Sequence, residues 1–120
     1  MREPEVYFGT DVYVPDLVAW RRERMPQIPD AQGFTLVPDW ACEVVSPYTA
    51  RLDRGRKLLG YARHGVDWVW VVDPGPQVVE VFHRTGEHLT WTAAFERNDT
   101  MRAEPFETLE IQLADLWRYQ

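Results

Sequence analysis

The chain has 120 residues, a net charge of −6 and a hydrophobic content of 45%, which indicates one small globular domain with its own core, spanning residues 1–120. The acidic balance argues against a protein that coats nucleic acid with a basic surface, but it is compatible with a nuclease that has a local basic patch. The single cysteine, Cys42, excludes an internal disulfide framework and a cysteine zinc cluster. No stretch has the pattern of a signal peptide or a membrane span, so we expect a cytoplasmic protein.

The first third of the chain predicts two strands and a loop. Residues 5–8 favour a short first strand. Residues 14–20 favour a second one, because they are apolar and β-branched and include Pro15 near the start, where no ladder N–H is required. Asp16 lies at the start of this strand, where it is either a turn residue or a functional carboxylate. Residues 25–33, with two prolines and a glycine, predict a loop.

A central strand is predicted over residues 40–45. Alternation places Glu43 on one face and Cys42 and Val44 on the other, and both faces are otherwise apolar, so the strand should be covered on both sides. Cys42 is expected to be an inert core thiol. Glu43 needs a partner, a proton or a metal, because desolvating a lone carboxylate is expensive. Asp39 lies on the same face but about 13 Å back along the strand, too far to share a metal with Glu43.

A helix is predicted from Ser46-Pro47, or from nearer Thr49, to a stop at Gly65. Its expected packed face consists of Leu52, Gly55, Leu59 and Ala62.

A second stripe of this helix carries Asp53, Lys57 and Tyr61 at successive i,i+4 spacings. Seen alone, Asp53 and Lys57 are best interpreted as an ion pair on a solvated helix face, worth a few tenths of a kcal/mol. Lys57 is, however, the one lysine in a chain with twelve arginines.

The second half of the chain predicts an antiparallel meander over residues 67–95, whose first strand, within residues 66–72, is the most buried in the chain. Residues 96–107 are expected to form a polar loop, residues 109–111 a short strand or extended segment, and the C-terminus a short amphipathic helix. The three histidines lack the spacing of metal ligands and are interpreted as surface or turn residues. They are His64, His83 and His88.

Asp16, Glu43 and Lys57 form the candidate site. Two carboxylates on adjacent strands can hold one Mg²⁺, a hard cation that takes oxygen ligands and keeps waters for the substrate. The backbone carbonyl of Val44 can complete the metal shell. Lys57 can orient or deprotonate the attacking water and stabilise charge on a phosphate. Spacing alone does not separate this site from an ordinary surface. Possible phosphate contacts on the helix are Arg51, Arg54, Arg56 and Arg63.

From about residue 14 to the C-terminal helix, the chain resembles the Uma-type family of restriction endonucleases in the PD-(D/E)XK nuclease superfamily. The motifs that carry the resemblance are Pro15-Asp16, Pro38-Asp39, Glu43-Val44, Ser46-Pro47, Asp53 with Lys57, Tyr61, Gly65-Val66 and Asp73-Pro74. It implies an α/β (mixed α+β) restriction-endonuclease-like core, with a central mixed sheet, a flanking helix and an antiparallel meander. It also implies metal-dependent phosphodiester hydrolysis of DNA, with Mg²⁺ or Mn²⁺ bound by Asp16 and Glu43.

The chain departs from the family pattern at two points. The position two residues after the glutamate, a lysine in the superfamily, is Val45, and the family's lysine is taken to have moved to the following helix as Lys57. Family members also usually carry helices and a strand before the Pro-Asp strand, whereas this chain begins about fifteen residues before Asp16. We therefore expect an N-terminally truncated fold in which one apolar sheet face lacks a cover.

An uncovered apolar face favours self-association, so we expect a homo-oligomer, most simply a symmetric dimer. Two other functions stay open besides a DNA endonuclease. The chain could be a catalytically inactive relative that acts as a binding or assembly module, or a structural subunit that completes another protein's sheet.

Overall fold

The computed structural model describes residues 3–29, 33–45 and 51–118, and for residues 51–54 it describes the backbone alone. These ranges contain ten strands and two helices. The strands are β1 (Glu5–Phe8), β2 (Asp11–Tyr13), β3 (Leu17–Ala19), β4 (Gly33–Phe34), β5 (Trp40–Val44), β6 (Trp68–Asp73), β7 (Val78–Thr85), β8 (His88–Glu96), β9 (Thr100–Met101) and β10 (Ile111–Gln112). The helices are α1 (Arg51–His64) and α2 (Leu113–Trp117). Neither of these helices is long and apolar enough to cross a membrane.

A five-stranded mixed sheet in the order β3-β5-β6-β7-β8 forms the centre of the described structure. β5 runs parallel to β6 and antiparallel to β3, so β5 is an interior strand, as its doubly apolar pattern predicts. The connection from β5 to β6 contains α1, the usual way to join two parallel strands. β6, β7 and β8 form the predicted antiparallel meander. The mixed sheet, the flanking helix and the meander are thus confirmed.

Each face of this sheet carries its own buried cluster. The tryptophan-side cluster comprises Trp40, Cys42, Trp68, Trp70, Val72, Val79, Val81, Met101, Ala103 and Leu113. The helix-side cluster comprises Val6, Phe8, Val18, Ala41, Tyr61, Val66, Val69 and Val71. The predicted alternation along β5 is confirmed, since Cys42 packs into the first cluster and Ala41 into the second. Glu43 shares the face of Ala41 and therefore lies beneath α1.

Helix α1 ends where the sequence predicts. Gly65 adopts a φ of 91°, a conformation that favours glycine. The N–H of Val66 donates to the Tyr61 carbonyl at 3.0 Å and that of Gly65 to the Ala62 carbonyl at 3.2 Å, the pattern of a Schellman stop. The predicted start of the helix lies outside the described residues.

The predicted packed face of α1 is wrong in part. Ala62 is buried as expected, but Gly55 is exposed and Leu59 is 40% exposed; the side chain of Leu52 is not described. Tyr61 is fully buried instead. A tyrosine buries a large ring and can also bring its hydroxyl to a buried acceptor, and Glu43 supplies that acceptor here. The helix is therefore turned with its Lys57–Tyr61 stripe toward the sheet.

Two predicted segments differ from the structure. The strand expected over residues 14–20 is regular only at Leu17–Ala19, and just before it the carboxylate of Asp16, not a backbone carbonyl, accepts the N–H of Val44. Asp11–Tyr13 is a separate strand that the sequence pattern does not predict. The polar loop expected over residues 96–107 contains β9, and its Met101 is buried against the tryptophan-side cluster.

The expectation that one sheet face lacks a cover is wrong. Residues from β9, β10 and α2 pack on the tryptophan-side cluster, opposite α1, so both faces of the sheet carry cover. An apolar cavity of about 320 Å³ remains on the tryptophan side. Leu109 lines this cavity and is 56% exposed.

Candidate functional site

Asp16 is joined to β5 through both its backbone and its side chain. Its N–H donates to the carbonyl of Cys42 at 3.1 Å, and its Oδ2 accepts the N–H of Val44 at 2.6 Å. In an extended strand the N–H and C=O of one residue project to the same side. The Val44 carbonyl therefore points from β5 toward β3, the strand that Asp16 directly precedes. The end of β5 thus carries a carboxylate and a carbonyl next to Glu43.

Glu43 is 8% exposed, and donors from α1 contact both of its carboxylate oxygens. The Tyr61 hydroxyl donates to Oε1, and Lys57 Nζ lies 3.5 Å from Oε2. Burial raises the pKa of Glu43, while the Tyr61 hydrogen bond and the Lys57 charge lower it and the Asp16 charge raises it further. Burial is the largest of these effects. The site thus holds a carboxylate in an environment that disfavours its charge.

Lys57 reaches Glu43 because of the rotation of α1 and remains 37% exposed at its side chain. The side chain of its predicted partner, Asp53, is not among those described. The interpretation of Lys57 as part of a solvated stripe did not predict its contact with Glu43. The structure thus brings Asp16, Val44, Glu43 and Lys57, all singled out in the sequence, to one end of β5.

Two tyrosines join this cluster without having been assigned to it from the sequence. Tyr61 is fully buried, and burial together with the Glu43 charge raises its pKa. The ring of Tyr13, in β2, lies 5.2 Å from that of Tyr61 and crosses α1 at Gly60. Burial raises the pKa of Tyr13, and the Lys57 charge lowers it. The i,i+4 spacing of Lys57 and Tyr61 could have revealed Tyr61, but no local signal points to Tyr13.

Other candidate groups have separate partners. Asp39 accepts the N–H of Arg21 at 2.7 Å and pairs with Arg24 at 2.8 Å, so its carboxylate fixes the segment after β3. Burial raises the pKa of Cys42 to about 12, in line with an inert core thiol. His64 lies 3.4 Å from Asp11.

Across the described residues, no three or more His, Cys, Asp or Glu side chains group as a metal site. A metal at the end of β5 would therefore rest on two carboxylates and backbone or water oxygens. Of the predicted phosphate contacts, Arg56 and Arg63 are exposed on α1, and the side chains of Arg51 and Arg54 are not described.

A family model matches the chain over residues 1–114. It is the model of Uma2, described as a putative restriction endonuclease. The chain belongs to the Uma2 family. No curated protein matches the chain.

A solved structure has the same fold over nearly the whole chain. It is a crystal structure at 1.96 Å of a putative nuclease belonging to DUF820 from Anabaena variabilis ATCC 29413. It superposes with a TM-score of 0.77 at 25% sequence identity, over 99% of this chain and 67% of that one. Together with the Uma2 match, it gives this chain a mixed α+β fold of the restriction-endonuclease-like type and supports a nuclease function in general terms.

The groups at the end of β5 fit the divalent metal ion that restriction-endonuclease-like families generally use. Asp16, Glu43 and the Val44 carbonyl offer oxygen ligands alone, which suits hard cations. Mg²⁺ is commonly held by one or two carboxylates while it keeps several waters, so this set is sufficient in number.

Proposed function

We propose that this Uma2 protein is a metal-dependent endonuclease that hydrolyses phosphodiester bonds of DNA. The observation that carries the proposal is the convergence of Asp16, Glu43 and Lys57 at one end of β5, with Lys57 Nζ 3.5 Å from the buried Glu43 carboxylate. Asp16, Glu43 and the Val44 carbonyl would hold Mg²⁺, and Mn²⁺ would substitute. When bound, the metal would polarise the phosphate and supply positive charge as the transition state forms.

Lys57 performs the protein's own part of the chemistry in this proposal. Its ammonium lies beside Glu43 yet is partly open to solvent, so it can meet both an attacking water and a phosphate oxygen. As the ammonium, a lysine can orient this water and stabilise the developing negative charge, whereas only its neutral amine form can take the proton of the water. An arginine cannot fill the proton-accepting role, because its guanidinium stays protonated in proteins. Asp16 and Glu43 would hold the metal that positions the reacting phosphate.

The test is nicking of supercoiled plasmid by the purified chain in Mg²⁺, in Mn²⁺ and in EDTA. Asp16→Asn and Glu43→Gln keep the side-chain shape but remove a charged ligand, so each should lower the cleavage rate about 100-fold or more. Asp39→Asn is the matched control, because this second Pro-Asp carboxylate binds Arg21 and Arg24 instead. It should cleave at the parent rate. RNA of equal length, offered in parallel, tests the choice of DNA.

Wild-type protein that leaves plasmid intact in both metals would overturn the proposal and favour the inactive binding or assembly module. Cleavage that Asp16→Asn and Glu43→Gln leave unchanged would also overturn it, since the activity would then come from elsewhere. If Asp39→Asn lost as much cleavage activity as Asp16→Asn, the loss would point to a folding defect and would remove the evidence for the site.

We further propose a symmetric dimer in the cytoplasm. In support, several large apolar side chains are exposed, among them Trp91 on the edge strand β8 and Leu109 beside the tryptophan-side cavity. Such side chains favour burial against a second copy. Sedimentation velocity at micromolar concentration should give the mass of two chains. A single species with the mass of one chain would contradict the dimer without touching the nuclease proposal.

A further inference from the structure

The hydroxyl of Tyr61 is buried and donates to a carboxylate that the proposed reaction uses. Tyr61 is 0% exposed, with its ring packed in the helix-side cluster. Its hydroxyl meets Oε1 of Glu43, while Lys57 lies near Oε2. A buried phenol needs a polar partner. Here the partner is a side chain at the candidate metal site, so the bond has consequences beyond packing.

We infer that Tyr61 is a positioning residue that sets the orientation of the Glu43 carboxylate for metal binding. Its hydroxyl fixes Oε1 beneath α1 and leaves Oε2 on the side of Lys57. The inference rests on the proposed function, because it assigns Glu43 to the metal. In this inference Tyr61 acts through Glu43 and is not itself a metal ligand.

Tyr61 holds its position more firmly than Lys57 does. The last torsion of a glutamate is broad, so an untethered carboxylate samples many orientations. The Tyr61 ring has two side-chain torsions and is enclosed by the core, with the Tyr13 ring in edge contact at 5.2 Å and 64°. Lys57 is long and 37% exposed. The rigid donor, Tyr61, therefore sets the orientation of the Glu43 carboxylate, and the flexible donor, Lys57, stays available for the substrate.

Lys57 and Tyr61 come from successive turns of one helix, so they approach Glu43 together. Hydrogen-bond partners of metal ligands commonly fix the ligand's orientation, and losing one weakens metal binding about 10-fold to 100-fold. If Tyr61 only filled space, Tyr61→Phe would leave metal binding unchanged, because phenylalanine fills almost the same volume.

The first experiment compares Tyr61→Phe with Tyr7→Phe by calorimetric titration of Mn²⁺ into the full chain. Tyr7 is the matched control, because its hydroxyl also donates to a carboxylate, that of Glu5, at 2.6 Å, but outside the candidate site. Tyr61→Phe should bind Mn²⁺ about 10-fold to 100-fold more weakly. Tyr7→Phe should bind like the wild type. Cleavage assays should show a lower kcat for Tyr61→Phe at an unchanged KM for DNA.

A double-mutant cycle tests whether Tyr61 acts through Glu43. In a Glu43→Gln background, Tyr61→Phe should cause no further loss of Mn²⁺ affinity, because the oriented carboxylate is already gone. Equal losses in both backgrounds, or wild-type affinity in Tyr61→Phe, would overturn the inference. If the wild type binds Mn²⁺ with this dependence but does not cleave DNA, the proposed function fails and the positioning role stands. A wild type that binds no Mn²⁺ overturns both.

A second measurement does not depend on the folding of Tyr61→Phe. Fluorotyrosine placed singly at position 61 or 7 keeps the hydroxyl and reports its surroundings by ¹⁹F NMR. The resonance at position 61 should shift when Mg²⁺ is added, since its carboxylate partner gains a metal, and that at position 7 should not. An unmoved resonance at position 61 under saturating Mg²⁺ would overturn the inference.

Discussion

Replacing Glu43 by glutamine should stabilise the metal-free protein. The carboxylate is 8% exposed, and burial outweighs its hydrogen bond and ion pair, because the net effect raises its pKa. An amide has nearly the same shape, carries no charge and can still accept the Tyr61 hydroxyl through its carbonyl. The substitution thus removes the cost of burying a charge while it keeps the packing.

The structure sets the size of this effect. Removing a carboxylate from water costs several kcal/mol after relaxation. A hydrogen bond to a charged acceptor, as from Tyr61, returns about 1.5–3 kcal/mol. Lys57 is 37% exposed and 3.5 Å away, so its contribution is close to that of a surface pair, about 0.2–1 kcal/mol. The balance is unfavourable by about 1–2 kcal/mol, within the range of single stabilising substitutions at functional sites. The melting temperature should rise by about 3–8 °C.

The assay is urea unfolding of both proteins in EDTA between pH 4 and pH 8. The folded-state pKa of Glu43 lies above its ordinary value of 4.5, so the folded wild type binds the proton more tightly than the unfolded chain does. The wild type therefore pays no charge penalty below pH 4.5, and the penalty grows as the pH rises through the raised folded pKa. The advantage of Glu43→Gln should be smallest at pH 4 and constant at the alkaline end.

Excess Mn²⁺ should make the wild type more stable than Glu43→Gln. On the proposed function the metal binds the folded wild type, and at 100 times its Kd it adds about 2.7 kcal/mol. Glu43→Gln should gain much less. Equal stability of the two proteins from pH 4 to pH 8 in EDTA, or a less stable variant at pH 8, would refute the argument that Glu43 is held at a cost in stability.

Three further predictions follow from packing, burial and side-chain chemistry. Gly60→Ala should lower the free energy of unfolding by about 1–3 kcal/mol, because the new Cβ would fall 1.8 Å from the Tyr13 hydroxyl oxygen. Gly55→Ala, where nothing lies within 4 Å, should instead raise it by up to about 1 kcal/mol, so equal urea midpoints would contradict the packing. Cys42 should stay unreactive toward a disulfide reagent at pH 8 until urea unfolds the protein, because burial raises its pKa to about 12; rapid labelling of the native chain would contradict its burial. Lys57→Arg keeps the charge but should lower plasmid nicking about 100-fold, and wild-type nicking would exclude a role particular to lysine.

The parts of the fold with a clear hydrophobic period were predictable. β5 alternates between two apolar faces, β6 is continuously apolar, and turn residues separate the strands of the meander, so their local pattern and their tertiary surroundings agree. The pieces that were missed are short and acquire their structure from distant partners. β2 exists because it pairs with β1, and β9 because it pairs with β10, and neither has a pattern of its own.

The candidate site shows the same division. Glu43 was conspicuous in the sequence, because a carboxylate in an apolar strand needs an explanation. The rotation of α1 was not predictable from its aliphatic residues, because Leu59 and Gly55 suggested a different face. The deciding features are a large aromatic side chain and a buried acceptor on the sheet, which only the assembled structure brings together.

A lysine supplied by α1 solves a packing problem that a lysine on the strand would create. The position two residues after Glu43 is Val45, which packs with the helix-side cluster and whose N–H extends the pairing with β6 by donating to the Val72 carbonyl at 2.9 Å. An ammonium there would have to leave that apolar surface to reach water. On α1 the ammonium of Lys57 reaches the same carboxylate from the solvent side, while valine seals the sheet beneath the helix. The distance from Lys57 to Glu43 then depends on how α1 is rotated on the sheet, and the packing of Tyr61 and Gly60 against their neighbours sets that rotation.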